Sequence, residues 1–114
     1  MAQTINDTGA ALPVGWGTTV GTVSQPAIPN NPSRKGLIFI NASVGSAIAI
    51  CPAQVNVGTN GVYTSPTPGI AAINGAGSIT MQPGDKFIIE TFNVTSAWNC
   101  IAGGAAGVLT ILES

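Results

Sequence analysis

The chain has 114 residues, enough for one hydrophobic core and too few for two. It carries three basic and four acidic residues, no histidine, and a net charge of -1. That balance provides no field to draw nucleic acid or an acidic membrane, and a chain without histidine has no Ser-His-Asp or Cys-His catalysis.

The apolar content is of one kind. With 13 Ile, 9 Val and 12 Thr, the sequence is dominated by β-branched residues, which suit a pleated sheet and lose rotamer freedom in a helix. Fifteen Gly and eight Pro punctuate it. The expectation is an all-β chain: one antiparallel β-sandwich or jelly-roll-like domain of about eight short strands, with a small barrel as the alternative.

Residues 1–17, "MAQTINDTGAALPVGWG", read as an extended N-terminal arm ahead of a β-sandwich domain spanning 18–114. Gly9, Pro13, Gly15 and Gly17 break regular structure there. Leu12, Val14 and Trp16 alternate, so they are candidates for contact with a neighbouring molecule. The segment lacks a basic n-region and an apolar h-region, which points to synthesis in the cytosol without a secretory signal. No apolar run approaches the roughly 18 residues of a membrane span.

The first strand is expected over Thr18–Ser24, broken off by the three prolines of "QPAIPNNP". Gly36–Ala42 is the strongest strand, with Leu37 and Phe39 on one face and Ile38 and Ile40 on the other. Directly before it stand Arg34 and Lys35, two of the three cations in the chain. They guard the end of an apolar strand against slippage, or they touch a partner, where an arginine pairs with a carboxylate of a neighbour such as Glu113 or Glu90.

Ala47–Cys51 follows, extended by Gln54–Val57, and "GTNG" reads as a turn at Asn60-Gly61. Ile70–Ile73 is expected as a short strand. Ser78–Gln82 and Lys86–Glu90 are expected as a hairpin across "QPGD", a type II turn with Pro83 and Gly84 at its centre. Ala97–Ala102 and Gly107–Leu112 are expected as a last hairpin across "GGAAG".

Several of these strands are apolar on both faces, although a sandwich strand needs only one. The second face requires a cover: the arm, a loop, another subunit or a larger partner. A free monomer of this composition, with so few Lys or Glu on its strand edges, is poorly protected against association. A homo-oligomer, dimer or trimer, is the expectation.

Chemistry-bearing constellations are absent from the sequence. Cys51 and Cys100 alternate with apolar neighbours and read as buried thiols, with a disulfide as the alternative. Asp7, Asp85, Glu90 and Glu113 form no facing acid pair and no calcium loop. No enzyme activity, metal or cofactor is expected. A carbohydrate site would need an exposed ring, and Tyr63 is the better glycan-contact candidate beside Trp16 and Trp98.

Four segments share their order and spacing with a known group. "NPSRKGLIFINAS" leads into an alternating strand that ends in Asn; "AIAICPA" follows; "ITMQPGDKFIIE" carries the Pro-Gly turn; "WNCIAGGAAGVLTILE" closes on Glu. This arrangement resembles small virion proteins of tailed bacteriophages. The resemblance implies a β-sandwich, a homo-oligomer and a structural role on the virion, as a capsid decoration (cement) protein contacting the major capsid protein or another virion protein. Fibre proteins of the head or tail, which bind a receptor or glycan, are the alternative. The chain departs from that group in its charge-poor stretch from Lys35 to Asp85.

Overall fold

The computed structural model describes residues 14–55, 58–59, 62–63, 67–91 and 94–114, and every regular element among them is a strand. In chain order these are β1 (Val14–Val20), β2 (Gln25–Ile28), β3 (Leu37–Asn41), β4 (Ile48–Pro52), β5 (Gln54–Val55), β6 (Gly58–Thr59), β7 (Val62–Tyr63), β8 (Thr67–Pro68), β9 (Ile79–Met81), β10 (Lys86–Ile89), β11 (Trp98–Ala102) and β12 (Gly107–Glu113). Two four-stranded antiparallel sheets pack against each other as a β-sandwich. Sheet A has the order β1-β12-β3-β10, and sheet B the order β2-β11-β4-β9.

The wiring follows one rule. The first strand pairs with the last, the second with the second-last, and so on inward until β6 pairs with β7. The chain is thus one long hairpin, nested about positions 60–61, which themselves lie outside the described residues. Rolling that hairpin over brings β12 against β3 and β11 against β4, and so completes both sheets.

This wiring overturns two expected hairpins. The "QPGD" turn forms: Asp85 N–H donates to Gln82 O at 2.9 Å and Gly84 takes φ +89°, as the third position of a type II turn requires. It nevertheless carries the chain from β9 in sheet B to β10 in sheet A. The "GGAAG" segment likewise links β11 in sheet B to β12 in sheet A. A tight reversal has the same residues whether the chain returns beside itself or crosses to the facing sheet roughly 10 Å away.

Element boundaries differ in three places. β1 begins at Val14, so the last four residues of the expected arm belong to sheet A, paired with Glu113 through Thr110. Gly15 and Gly17 do not prevent this, because β12 supplies the ladder, and a Cβ at Gly15 would already sit 3.3 Å from Leu112 Cδ2. Residues 1–13, with Leu12, lie outside the described residues. Second, Gln25–Ile28 is a strand despite Pro26; β2 is the edge of sheet B, where a missing N–H costs no ladder bond. Third, Ile70–Ile73 is not a strand but part of a covering segment.

The core lies between the sheets. Leu37, Phe39, Leu109 and Ile111 from sheet A meet Ile48, Ile50, Trp98 and Cys100 from sheet B, and all are buried. The Phe39 and Trp98 rings join the sheets with centroids 5.3 Å apart and planes tilted by 55°, close to the edge-to-face geometry favoured by aromatic quadrupoles.

β4 is buried along its whole length. Its inner face meets the core, and its outer face, with Ala49 and Cys51, lies under the segment from Gly69 to Ser78. Gly69 N–H donates to Ala53 O at 2.7 Å, Asn99 Nδ2 donates to Gly69 O at 2.7 Å, and Ala71 N–H donates to Ser24 Oγ at 3.0 Å. Gly69 is required by this close approach, since a Cβ there would sit 1.9 Å from Pro52 O and 3.0 Å from Cys51 Sγ. Gly69→Ala should therefore lift the cover. Thiol labelling is expected to show Cys51 reacting about tenfold faster or more, with Cys100 still protected in the core; unchanged Cys51 protection would show that the segment does not seal this face.

Candidate interaction surface

The Arg34 side chain is fully buried. Its Nε donates to Glu113 Oε1 at 2.7 Å, Nη1 to Val94 O at 2.9 Å and Ser96 O at 3.0 Å, and Nη2 to Pro29 O at 2.7 Å. Asn31 Nδ2 donates to the same Glu113 oxygen at 3.2 Å, and Asn31 N–H to Thr95 O at 2.8 Å. The guanidinium fork thus joins the loop before β3, the connection from β10 to β11, and the end of β12. Arg34, a partner-contact candidate from sequence, is an internal tie whose carboxylate is supplied by its own chain.

Lys35 is exposed, and its backbone N–H donates to Ser114 O. The two adjacent cations therefore have different fates, and only Lys35 remains available to a partner. Val14 and Trp16 hold register positions opposite Glu113 and Ile111 in sheet A. Tyr63 lies in β7 opposite Gly58, in the ribbon at the tip of the nested hairpin.

The outward face of sheet A has a different character from the rest of the surface. Register places Leu112, Ile38 and Ile88 side by side across β12, β3 and β10, with Thr110, Ile40 and Lys86 as the adjoining row. Val108 continues the apolar stripe on β12. All these residues are at least partly accessible, and Ile88 is 54% exposed. An antiparallel sheet with one solvated face normally alternates apolar and polar residues; here the alternation fails on three adjacent strands. No described segment covers this face, in contrast to the Gly69–Ser78 cover on sheet B. The sequence shows the two-faced character of β3 and β12. It shows Ile88 as well, since the alternation that turns Phe87 and Ile89 inward leaves Ile88 facing out, and the structure has it so.

Neither thiol belongs to this surface. Cys51 pairs in register with Asn99, and Cys100 with Ile50, so the two side chains take opposite faces of sheet B, and both are free and buried. Burial pushes the Cys100 thiol up to about 11 and raises that of Cys51, which a hydrogen bond with Ser78 partly offsets. The Asp85 carboxylate accepts Gln82 N–H at 2.9 Å and so closes its own turn. Among the described residues no three His, Cys, Asp or Glu side chains group as metal ligands.

No family model, curated protein or solved structure matches the chain.

Two expectations follow from these buried groups. Arg34→Met leaves the Glu113 carboxylate buried without its cation and should cost about 3–5 kcal/mol in denaturant unfolding. Arg34→Met with Glu113→Leu should recover much of that loss, since a packed apolar pair of similar volume replaces two desolvated charges. A double variant no better than the single one would show that the carbonyl contacts of Arg34, rather than its charge partner, hold the loop.

The pH dependence has a definite sign. Cys100 keeps its proton in the folded state up to about pH 11, whereas the unfolded thiol ionises near the ordinary 9.0. The stabilisation is full below pH 9 and is lost as pH rises from 9 toward about 11. Cys100→Ala should flatten that decline in melting temperature, and an equally steep decline in the variant would assign it to other groups.

Proposed function

We propose that the chain is a non-enzymatic structural protein of a tailed-phage virion: a capsid decoration (cement) protein that stabilises the head by bridging capsomers. The observation that carries this reading is the outward face of sheet A, where Ile38, Ile40, Ile88, Val108 and Leu112 lie together without a cover from the described chain. Such a face fits burial against a large protein surface better than permanent exposure to water. The nested pairing of strands across two four-stranded sheets supports a jelly-roll reading of the sandwich, an architecture used in viral capsid domains among others. That support is an analogy of fold. The strand-and-turn resemblance to small virion proteins points the same way.

A second reading, a receptor- or glycan-binding fibre domain, draws on one feature. The ribbons β5·β8 and β6·β7 extend the nested hairpin beyond the two sheets and carry Tyr63. Jelly rolls also serve as lectin domains. Binding of glycans on an array, lost in Tyr63→Ala, would favour it.

Cryo-EM of the source particle separates the two. Copies spread over capsomer junctions are expected for a cement protein, whereas copies confined to a vertex or tail tip would overturn that role. For the attachment face, Ile38→Lys puts a charge between Leu112 and Ile88, at the centre of the apolar row. Its binding to particles stripped of the protein should weaken about tenfold or more, with the sandwich still folded by circular dichroism. Undiminished binding would place the attachment surface elsewhere.

A further inference from the structure

The four sheet edges of this sandwich are not equivalent. β2 carries Pro26, and β9 is only three residues long. β1 is longer, but Gln25 Nε2 already donates to Thr19 O on it at 3.1 Å, and the strand has no charged residue. β10, the far edge of sheet A, differs from all three. Its outward-facing residues alternate as Lys86, Ile88 and, one step past the strand end, Glu90.

The direction of the β10 backbone can be read from its start. Asn41 N–H donates to Asp85 O at 2.9 Å, so residue 85 bonds toward β3. Antiparallel ladders alternate, which turns Phe87 and Ile89 toward β3 and leaves the N–H and C=O groups of Lys86, Ile88 and Glu90 pointing away from the sheet. No hydrogen bond outside the β10–β3 ladder engages those three residues among the described ones. The free backbone groups and the charged side chains therefore belong to the same three positions.

A lysine alone on an edge strand guards it against pairing. A lysine and a glutamate placed two residues either side of an isoleucine do something else, because that pattern is complementary to its own antiparallel copy. We propose that two copies of the chain join β10 to β10 about a two-fold axis through Ile88, making one continuous sheet from their two sheets A. In that register Ile88 meets Ile88, and Lys86 of each copy meets Glu90 of the other, twice by symmetry. Registers centred on residue 86 or residue 90 set like charges opposite each other and are disfavoured. The same axis joins the apolar outward faces of the two copies into one surface of doubled extent. The proposal deepens the homo-oligomer expected above by assigning its interface, and it does not depend on where the protein sits on a particle.

Sedimentation velocity of the full chain at micromolar concentration tests it. The wild-type protein should be a dimer. Lys86→Glu and Glu90→Lys should each weaken dimerisation roughly tenfold or more, since each turns two attractive contacts into two repulsive ones. K86E mixed with E90K in equal amounts should reassociate as a mixed dimer, and K86E/E90K in one chain should dimerise like wild type. Unchanged circular dichroism in all four proteins is expected, because both side chains are exposed. A wild-type monomer or trimer, single variants that dimerise normally, or a mixture that stays monomeric would each overturn the β10 interface. None of those outcomes touches the location of the protein on a particle, which cryo-EM decides separately.

Discussion

A guanidinium taken out of water must have its N–H groups met by acceptors, and its charge must be matched. At Arg34 three backbone carbonyls and the Glu113 carboxylate do this. Those acceptors come from three stretches that are distant in sequence, so the condition is met only when the loop before β3, the 94–96 connection and the end of β12 have all arrived. Asn41 imposes a similar demand at the other end of β3. Its Nδ2 donates to Ser46 O and Met81 O, both at 2.8 Å, and its Oδ1 accepts Ser43 N–H at 2.9 Å. β3, central to sheet A, is thus held at both ends by buried polar groups that accept no other arrangement of their neighbours. Among the described residues every buried side-chain nitrogen or oxygen has a partner.

Strand content and chain reversals were legible because they are local. β-branched alternation marks β3, β9 and β12, and Pro83-Gly84 marks its turn with the φ that type II geometry demands. Partnership was not legible, because a turn does not record which sheet the next strand joins. Pro26 misled for a related reason: a proline rules out a central strand but not an edge one, and edge position is a property of the assembled sheet. Ile70–Ile73 has strand composition, yet its job is to lie across β4. Arg34 shows the limit most clearly. Its sequence position raised two possibilities, a strand guard or a partner contact. Only the arrival of Glu113 from 79 residues away decides that the charge is spent inside the chain.

The two sheets resolve the same problem in opposite ways. Both contain strands with apolar residues on each face. Sheet B is sealed by its own chain, with Gly69 pressed onto β4 so closely that no larger residue fits without movement. Sheet A presents Ile38, Ile40, Val108 and Leu112 outward. With Arg34 and Glu113 neutralising each other inside, the surface retains few charges with which to offset that stripe. The asymmetry gives the sandwich one finished side and one side suited to association, which is a useful division for a molecule proposed to work between larger bodies.

Nested pairing also changes the cost of long-range contact. Val14 and Glu113 stand at opposite ends of the described chain and are nevertheless direct partners. Brought together from an open chain, they would have to close a very long loop. Closed from the inside outward, with β6·β7 first, then β5·β8, β4·β9 and β3·β10, each pair adds only the short connection left by the one before it. Loop-closure entropy grows with the logarithm of loop length, so this order spreads a steep barrier over several shallow ones. The roll that sets β12 against β3 and β11 against β4 is not nested and gains nothing from the zipper. It is also the step that brings Phe39 and Trp98 together and delivers Glu113 to Arg34. The wiring thus separates a gradual closing of the ribbon from a single cooperative folding-over, and the buried ion pair belongs to the second.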